Sequence, residues 1–323
     1  MKLLVTRPIP EPAIARLVTE PGVETTVLEE DIALDRAVLL DEAAGAEVIL
    51  ALLTERMDAE LFDRAANLRM VANMAVGFDN VDTSAAEARG IWVTNTPGVL
   101  DGATADLAMA LLLAAARRLP EAERFLRAGR YRRWGPMLLT GQEVHGRTLG
   151  ILGMGRIGEA VARRARLGFD MEILYWDERG RPDLEEELGV RRTDLDNLLG
   201  AADFVSIHLP LTEDTAGLID AARLARMKPS AVLVNTARGP IVHEAALAAA
   251  LRSGAIWAAG LDVFEREPEV HADLLELDNA VLLPHIASAS IPTRLAMAQL
   301  AVDNVLALHR GEEPPTPVVR GTR

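Results

Sequence analysis

Three polar side chains, Arg238, Glu267 and His285, each follow a different strand in the second half of the predicted fold. Residues just past the carboxyl ends of parallel strands share one crevice in an open α/β sheet. An arginine there can bind a carboxylate through two hydrogen bonds, and a histidine can exchange a proton near neutral pH. Glu267 beside His285 would favour the imidazolium form. Taken singly, they could be a surface cation, an exposed acid and a core histidine. Together they suit hydride transfer to a 2-keto acid, which needs a cation for its carboxylate and an acid for its oxygen.

A glycine-rich turn could hold the hydride donor. An apolar run, residues 148–152, leads into Gly153, Gly155 and Gly158, and an amphipathic segment follows. The glycines allow a tight turn, close approach of a pyrophosphate and close helix packing, with the phosphates on the helix N-terminus. Asp177 ends the next predicted strand, about 20 residues beyond the last glycine, where an acid that binds ribose is expected. The pattern predicts a nicotinamide dinucleotide site.

The elements that position these residues alternate along the chain, which indicates parallel sheets with helices on both faces. The predicted strands are residues 2–6, 23–28, 47–50, 70–73 and 91–94, then 148–152, 171–176, 203–207, 231–235, 256–261 and 280–283. Helices are expected at residues 33–40 and 59–66, with two long ones at residues 104–118 and 293–310. The polar, arginine-rich segment after Pro120, residues 121–141, lacks clear periodicity and is interpreted as a linker and surface arm. The proline-rich tail, residues 312–317, is not expected to be helical.

The composition excludes several classes of protein. A net charge of −14 argues against nucleic-acid or anionic membrane surfaces, so neither partner is expected. The chain of 323 residues has no cysteine, so it has no disulfide or thiolate chemistry, and we expect no metal. The N-terminus is too short in apolar residues for a signal peptide, and the apolar run at 107–116 is too short to span a bilayer. A cytoplasmic location is expected.

Three motifs carry a resemblance to a known family. They are N-T-A-R-G at 235–239, G-L-D-V-F-E-R-E-P at 260–268 and L-P-H-I at 283–286. With them the chain closely resembles the D-isomer-specific 2-hydroxyacid dehydrogenases from end to end. Within that family, residues 75–82, 93–100, 104–108 and 134–136 are most similar to glyoxylate/hydroxypyruvate reductases.

The resemblance implies a homodimer whose subunits have two doubly wound parallel-sheet domains joined by two long helices. A flavodoxin-like substrate-binding domain would comprise residues 1–100 and 289–323, and a Rossmann NAD(P) domain residues 101–288, with a cleft between them. Arg238 would bind the substrate carboxylate and keto oxygen, Glu267 would orient His285, and His285 would be the general acid. The small 2-keto or 2-hydroxy acid would also contact Leu53, Val76, Gly77 and Trp134, the last from the partner subunit. The cofactor would contact Gly153, Met154, Gly155, Arg156, Ile157, Gly158, Asp177, His208, Pro210, Thr215, Thr236, Ala237, Asp262 and Ser288.

Two positions depart from the family pattern. Ala287 stands where glycine is usual, which adds a methyl group near the expected nicotinamide amide. His243 stands where an acid or amide commonly caps the next helix.

The acids at the end of the second strand bear on the choice of cofactor. Asp177 and Glu178 would repel a 2′-phosphate, so NADH is expected to be preferred, with NADPH as the alternative because Arg179 and Arg181 are close by.

Other functions on the same fold stay open at this point. Phosphoglycerate dehydrogenase and phosphite dehydrogenase share the motifs, whereas formate dehydrogenases of this fold place glutamine where Glu267 stands. From another class comes an NAD-sensing corepressor, which would use the cleft without catalysis. The complete set of Arg238, Glu267 and His285 favours an enzyme.

Overall fold

The computed structural model describes residues 1–29 and 34–322. The chain divides into two compact units, one formed by Met1–Leu100 with Ala289–Arg323 and the other by Asp101–Ser288. Each unit is an α/β body with its own sheet. The predicted α/β class with two parallel sheets is therefore confirmed. No helix in the described part of the chain combines the length and apolar composition that crossing a membrane requires.

The first 127 residues contain five strands and six helices within the described ranges. In chain order they are β1 Lys2–Val5, α1 Glu11–Val18, β2 Glu24–Val27, α2 Arg36–Ala43, β3 Val48–Ala51, α3 Ala59–Arg64, β4 Met70–Asn73, α4 Thr83–Ala88, β5 Trp92–Thr94, α5 Asp101–Ala116 and α6 Leu119–Arg127.

The remaining elements follow an irregular segment, residues 128–147. They are β6 Thr148–Leu152, α7 Arg156–Phe169, β7 Glu172–Trp176, α8 Pro182–Leu188, β8 Arg191–Arg192, α9 Leu195–Ala201, β9 Phe204–Ile207, α10 Ala221–Leu224, β10 Val232–Asn235, α11 Glu244–Ser253, β11 Ala258–Leu261, α12 Ala272–Leu275, β12 Ala280–Leu282, α13 Ile291–His309 and β13 Pro317–Val319. A 3₁₀ turn, Gly239–Ile241, lies between β10 and α11.

The sheet of the first unit has the strand order β13-β5-β4-β3-β1-β2. Its first five strands are parallel and run in the 2-1-3-4-5 order of flavodoxin-like folds. β3 and β4 are buried on both faces, as expected for a parallel strand covered by helices. The long helix α13 packs against α1 and β4 of this unit.

The sheet of the second unit has the strand order β12-β11-β10-β9-β6-β7-β8. All its pairings are parallel, and counted from β6 the order is that of a Rossmann fold with one strand added at the far edge. β10, β11 and β12 are neighbours, so the segments that follow them begin at the same edge. The helix α5, which covers the apolar run of residues 107–116, packs on β10, β11 and α7.

Four elements differ most from the sequence prediction. The first part of the segment interpreted as an irregular arm belongs to the helix α6, which carries Pro120 in its first turn, where proline is tolerated. β8 and β13 were not predicted, and each lies at the edge of its sheet. The helix expected at residues 33–40 is α2, which begins at Arg36, and Ala33 lies outside the described residues.

Candidate active site

The glycine turn joins β6 to α7 and has the tight packing that its sequence predicts. Gly153 has a φ of +93°, and a Cβ there would lie 2.8 Å from the backbone carbonyl of His208. A Cβ on Gly158 would lie 2.0 Å from the carbonyl oxygen of Gly153. Around Gly155, in contrast, no atom of the described residues other than its chain neighbours and the backbone of its own helix lies within 4 Å of a Cβ position. The outer two glycines are therefore required by the fold, whereas the middle one keeps open the space in front of the helix.

The N-terminus of α7 suits an anion. Gly155 is its N-cap and has no side chain to bind the first N–H groups of the helix. Uncapped N–H groups and the helix dipole together favour a negative charge. Met154, Arg156 and Ile157 belong to the same turn, and Arg156 is exposed, with Nε 3.9 Å from a carboxylate oxygen of Asp101.

Asp177, directly after β7, lies beside this turn. Its Oδ2 accepts a hydrogen bond from the Met154 N–H at 2.8 Å, and its Oδ1 accepts one from the Arg179 N–H at 3.0 Å. The carboxylate is therefore held in place by backbone donors. Glu178 and Arg179 are exposed next to it.

Arg181, which could have turned toward a phosphate, is held by other groups. Its guanidinium pairs with Glu159 at 2.8 Å and with Asp183 at 2.7 Å, and it donates to the Met154 carbonyl. The hydrogen bonds that Arg181 donates to Asp183 and, to a smaller extent, to Glu159 raise its pKa further above its already high value. Arg181 therefore stabilises the turn through the Met154 carbonyl, and its guanidinium is already engaged by two carboxylates.

The other expected cofactor residues lie on segments that follow β9, β10, β11 and β12. Burial lowers the pKa of His208 to about 3, so its ring is neutral near pH 7, and Nε2 lies 2.9 Å from the Ser206 hydroxyl. Thr215 donates to the Pro210 carbonyl at 2.7 Å, which closes that loop. Thr236 is buried, and its hydroxyl has no hydrogen-bond partner within the described chain. Ala237 and Ser288 are half-buried.

These observations fit a bound dinucleotide. The buried Thr236 hydroxyl and the N–H groups at the start of α7 are polar groups that a nicotinamide or phosphate group can satisfy. The open space around Gly155 leaves room for such a group. In the part of the chain that is described, no group of three His, Cys, Asp or Glu side chains could hold a metal ion.

Glu267 and His285 form a hydrogen-bonded pair. His285 Nδ1 lies 2.7 Å from Glu267 Oε2, and the other carboxylate oxygen accepts the Phe264 N–H at 3.0 Å. Burial opposes the charged form of Glu267, but the hydrogen bond and charge of His285 outweigh it and lower the pKa of the carboxyl group. A carboxylate on Nδ1 keeps that nitrogen protonated and leaves Nε2 for proton exchange.

The backbone at His285 is held in an uncommon conformation. Its φ is +54°, in the left-handed region, which costs free energy for a residue with a side chain. The His285 N–H donates to the Asp262 carbonyl at 2.9 Å. The buried Asp262 carboxylate accepts the Ile286 and Ala287 N–H groups at 2.8 and 2.7 Å. Asp262, expected beside the nicotinamide, thus holds the segment that carries His285, and burial raises the pKa of its carboxyl group.

Arg238 lies on the segment between β10 and the 3₁₀ turn. Its charge is among the causes that lower the pKa of Glu267, and β10 and β11, the strands that precede the two residues, are paired. A Cβ on the next residue, Gly239, would overlap the Phe264 carbonyl carbon at 1.8 Å, so glycine allows this segment to contact the one that leads to Glu267. The Asn235 side chain accepts the Ala237 N–H and donates to the Arg238 carbonyl at 2.9 Å.

The first unit contains the other expected substrate residues. Leu53 follows β3, and Val76 and Gly77 follow β4, so all three lie past the ends of neighbouring strands. Their side chains or backbone are half-buried. Sequence reasoning missed the asparagines around them, Asn73, Asn80 and Asn95, whose side chains bind carbonyl groups of these segments. The available signal was a polar residue, Asn73, at the end of an otherwise apolar strand.

His243 and Trp134, which the sequence analysis also singled out, lie outside this cluster of site residues. His243 caps α11, since its Nδ1 accepts the Ala246 N–H at 3.3 Å, so a histidine replaces the usual acid or amide there. Trp134 lies on the irregular segment after α6 and is 76% exposed in the single chain.

The comparisons with known proteins identify the family of the chain. The family described as D-isomer specific 2-hydroxyacid dehydrogenase, NAD binding domain, matches residues 109–287. A glyoxylate reductase of Korarchaeum cryptofilum is 50% identical over 97% of this chain and 94% of its own, and one of Thermococcus onnurineus is 49% identical over 99% and 96%. An NADPH-dependent glyoxylate/hydroxypyruvate reductase of Sinorhizobium meliloti, solved with NADP and malonate, is 40% identical with a TM-score of 0.88 over 100% of this chain and 98% of that chain.

The chain belongs to the D-isomer specific 2-hydroxyacid dehydrogenases, so the family predicted from its motifs is confirmed. It is an NAD(P)-dependent oxidoreductase of the branch that contains these glyoxylate reductases.

Proposed function

We propose that this protein reduces glyoxylate or hydroxypyruvate to the D-2-hydroxy acid, with His285 as the general acid. The observation that carries the proposal is the 2.7 Å hydrogen bond between Glu267 and His285 Nδ1. When bound, the reduced nicotinamide supplies the hydride that reaches C2 of the keto acid. His285 Nε2 gives a proton to the keto oxygen, so the carbonyl becomes a hydroxyl group. Arg238 binds the carboxylate and polarises the carbonyl.

Each neighbour of His285 has a part in this step. Glu267 stabilises the imidazolium before proton transfer and keeps the ring in one orientation. Asp262 holds the backbone of residues 285–287, which sets the direction of the ring. The backbone N–H groups of Val76 and Gly77, together with Leu53, are proposed substrate contacts on the strength of the family resemblance. Residues 1–100 with 289–323 are accordingly proposed as the substrate-binding domain.

The test is the oxidation of NADH and NADPH by the purified protein with glyoxylate and hydroxypyruvate. We expect turnover with both acids, and we expect His285→Asn to lose at least about 100-fold in kcat while still binding NADH. Pyruvate, 3-phosphohydroxypyruvate and, in the oxidative direction, phosphite complete the panel. A preference for phosphohydroxypyruvate or phosphite would replace glyoxylate as substrate. Near-normal turnover of His285→Asn would remove the proposed general acid, and no turnover with any acid would favour a binding protein.

For the cofactor we propose that NADH is preferred over NADPH. The support is the Asp177 carboxylate, which is fixed at the end of β7 and has the exposed Glu178 next to it. A 2′-phosphate there would face two negative charges, whereas the ribose hydroxyls of NADH can donate to Asp177. Arg181 is held by Glu159 and Asp183 and cannot offset the repulsion without breaking two ion pairs.

For assembly we propose a homodimer formed through α6 and the segment after it, residues 119–141, called the arm below. α6 buries none of its residues in the single chain. Leu126, Trp134 and Met137 are 61, 76 and 79% exposed. An amphipathic helix with an uncovered apolar face is typical of an interface, and a second copy is the partner that the family resemblance implies.

A further inference from the structure

The turn after β4, residues 74–80, has its peptide groups held in a regular way. Three successive carbonyl groups of this turn each accept one hydrogen bond from the body of the unit. The Ala75 carbonyl accepts the Thr96 N–H at 2.8 Å. The Val76 carbonyl accepts Asn95 Nδ2 at 2.8 Å, and the Gly77 carbonyl accepts Asn73 Nδ2 at 2.9 Å. Two of the three donors are asparagine side chains.

A fixed carbonyl also fixes the N–H group of the next residue. In a planar trans peptide the C=O of one residue and the N–H of the next point in opposite directions. The bond from Thr96 therefore directs the Val76 N–H, the bond from Asn95 directs the Gly77 N–H, and the bond from Asn73 directs the Phe78 N–H, each away from its donor. Successive N–H groups that are not used within the fold form a binding site for an anion.

The asparagine side chains are themselves held in place. Asn73 is buried, and its Oδ1 lies 3.3 Å from Asn80 Nδ2, which orients the amide. The Asn80 amide also donates to the Leu52 and Glu55 carbonyls at 3.1 and 3.0 Å, and so joins the turn to the segment that carries Leu53.

Asn95 is fixed by the C-terminal segment. Its carbonyl accepts the Thr316 hydroxyl at 2.6 Å, and its N–H donates to the Thr316 carbonyl at 3.3 Å. Thr316 in turn bonds to both side-chain atoms of Asn304, which is fully buried on α13. Asn73 and Asn95 are therefore both held in place by hydrogen bonds, Asn73 by Asn80 and Asn95 by Thr316.

We propose that Asn95 and Asn73 are positioning residues: Asn95 binds the Val76 carbonyl and aims the Gly77 N–H at the substrate carboxylate, and Asn73 binds the Gly77 carbonyl and aims the Phe78 N–H there, beyond the two N–H groups already proposed. This inference rests on the proposed function for the identity of the anion. Neither asparagine touches the substrate. Each acts through the peptide that it holds, so its loss weakens carboxylate binding and leaves cofactor binding unchanged.

The test replaces a donor by an acceptor of the same shape. Asn95→Asp puts a carboxylate oxygen against the Val76 carbonyl, which repels it and turns the peptide. We expect the KM for glyoxylate to rise at least about 10-fold, because one hydrogen bond to a charged group is lost, while the KM for NADH stays constant. We expect kcat to fall less than about threefold. Asn73→Asp should act in the same way through Gly77.

The matched control is Asn279→Asp. The Asn279 amide also donates to two backbone carbonyls, those of Leu251 and Trp257, but it lies in the other unit and away from the predicted ligand contacts. We expect it to lower the melting temperature without raising the KM for glyoxylate. If Asn95 had only a structural role, Asn95→Asp would behave like Asn279→Asp: the melting temperature would fall and the KM for glyoxylate would not rise.

A direct measurement separates this inference from the proposed function. Oxalate, a dicarboxylate probe, is titrated calorimetrically into the NADH-saturated protein and its variants, including the milder Asn95→Ala. Weaker oxalate binding by folded Asn95 variants supports the proposal. Unchanged oxalate affinity and an unchanged KM for glyoxylate would overturn it. If the unmodified protein fails to reduce glyoxylate, the proposed function is wrong, and the oxalate titration still decides the role of the asparagines.

Discussion

At the scale of residues, this chain fixes polar side chains with backbone groups before any ligand is bound. Asp177 is held by two N–H groups, and Asp262 by two others. Asn73 and Asn235 each end a buried strand and bind the carbonyl of a residue three or four positions later. Because such bonds cost nothing when the ligand arrives, they pre-organise the site.

The charge of Asp177 and Glu178 gives a prediction about cofactor choice. We expect the unmodified protein to show the higher kcat/KM with NADH. Asp177→Ser/Glu178→Arg removes both negative charges and adds a positive one, so the ratio of kcat/KM for NADPH to that for NADH should rise at least about 10-fold. The measurement uses glyoxylate at fixed ionic strength.

Glu186→Arg is the control for that experiment, because it makes the same change of charge as Glu178→Arg, but on the exposed surface of α8. We expect its cofactor ratio to stay near that of the unmodified protein. A preference of the unmodified protein for NADPH, or an unaltered ratio in the double variant, would contradict the role given to these two acids.

At the scale of elements, the glycines at the junction of β6 and α7 have different roles: one is needed for packing and another for binding. Gly158 has a neighbouring oxygen where its Cβ would be, whereas Gly155 has a φ of −74° and open space. Gly158→Ala should therefore destabilise the protein by about 1–3 kcal/mol through overpacking. Gly155→Ala should change stability much less and raise the KM for NADH, since the added methyl group occupies the ligand's approach.

Thermal unfolding and NADH titration of the two variants check this difference. Each variant serves as the control for the other, because both add one methyl group to the same turn. Equal losses of stability would show that the space around Gly155 is not open. Unaltered NADH affinity in Gly155→Ala would remove the turn from the cofactor site.

The same scale shows what the sequence could and could not predict. Strands such as β6 and β10 were predictable because they are apolar runs that end in turn residues. β8 is two exposed arginines that pair only with β7, so it carries no apolar signal. Pro317 begins β13 at a sheet edge, where a missing N–H is tolerated, and a proline-rich tail does not indicate a strand.

The site divides in the same way. The proximity of Glu267 and His285 followed from the strand order, since β11 and β12 are adjacent and parallel. The bonds made by Asn95 and Asp262 could not be predicted, because they depend on the direction of single peptide groups in turns. Sequence patterns record which side chains are buried, but not which carbonyl an amide will contact.

At the scale of the whole molecule, the arm leaves large apolar side chains exposed in the single chain, among them Leu126, Trp134 and Met137. α6 forms because residues 119–127 are amphipathic, yet within one chain its Leu119 and Leu126 side chains stay exposed. Removing several such side chains from water is worth about 25 cal/mol per Å². A second copy of the chain can provide that cover, and Trp134 would then contact the partner subunit.

This assembly is tested by charging the apolar surface of the arm. Leu126→Glu/Met137→Glu should convert the dimer to a monomer in light scattering after gel filtration, because two carboxylates would be buried without partners. Leu167→Glu is the control, since Leu167 is 75% exposed on α7, outside the arm, and we expect that variant to stay dimeric. Trp134→Ala should keep the fold and lower kcat/KM for hydroxypyruvate more than for glyoxylate, because the larger substrate extends further toward the arm. A fully active monomer, whether of the unmodified protein or of the charged variant, would show that the arm serves neither assembly nor the site.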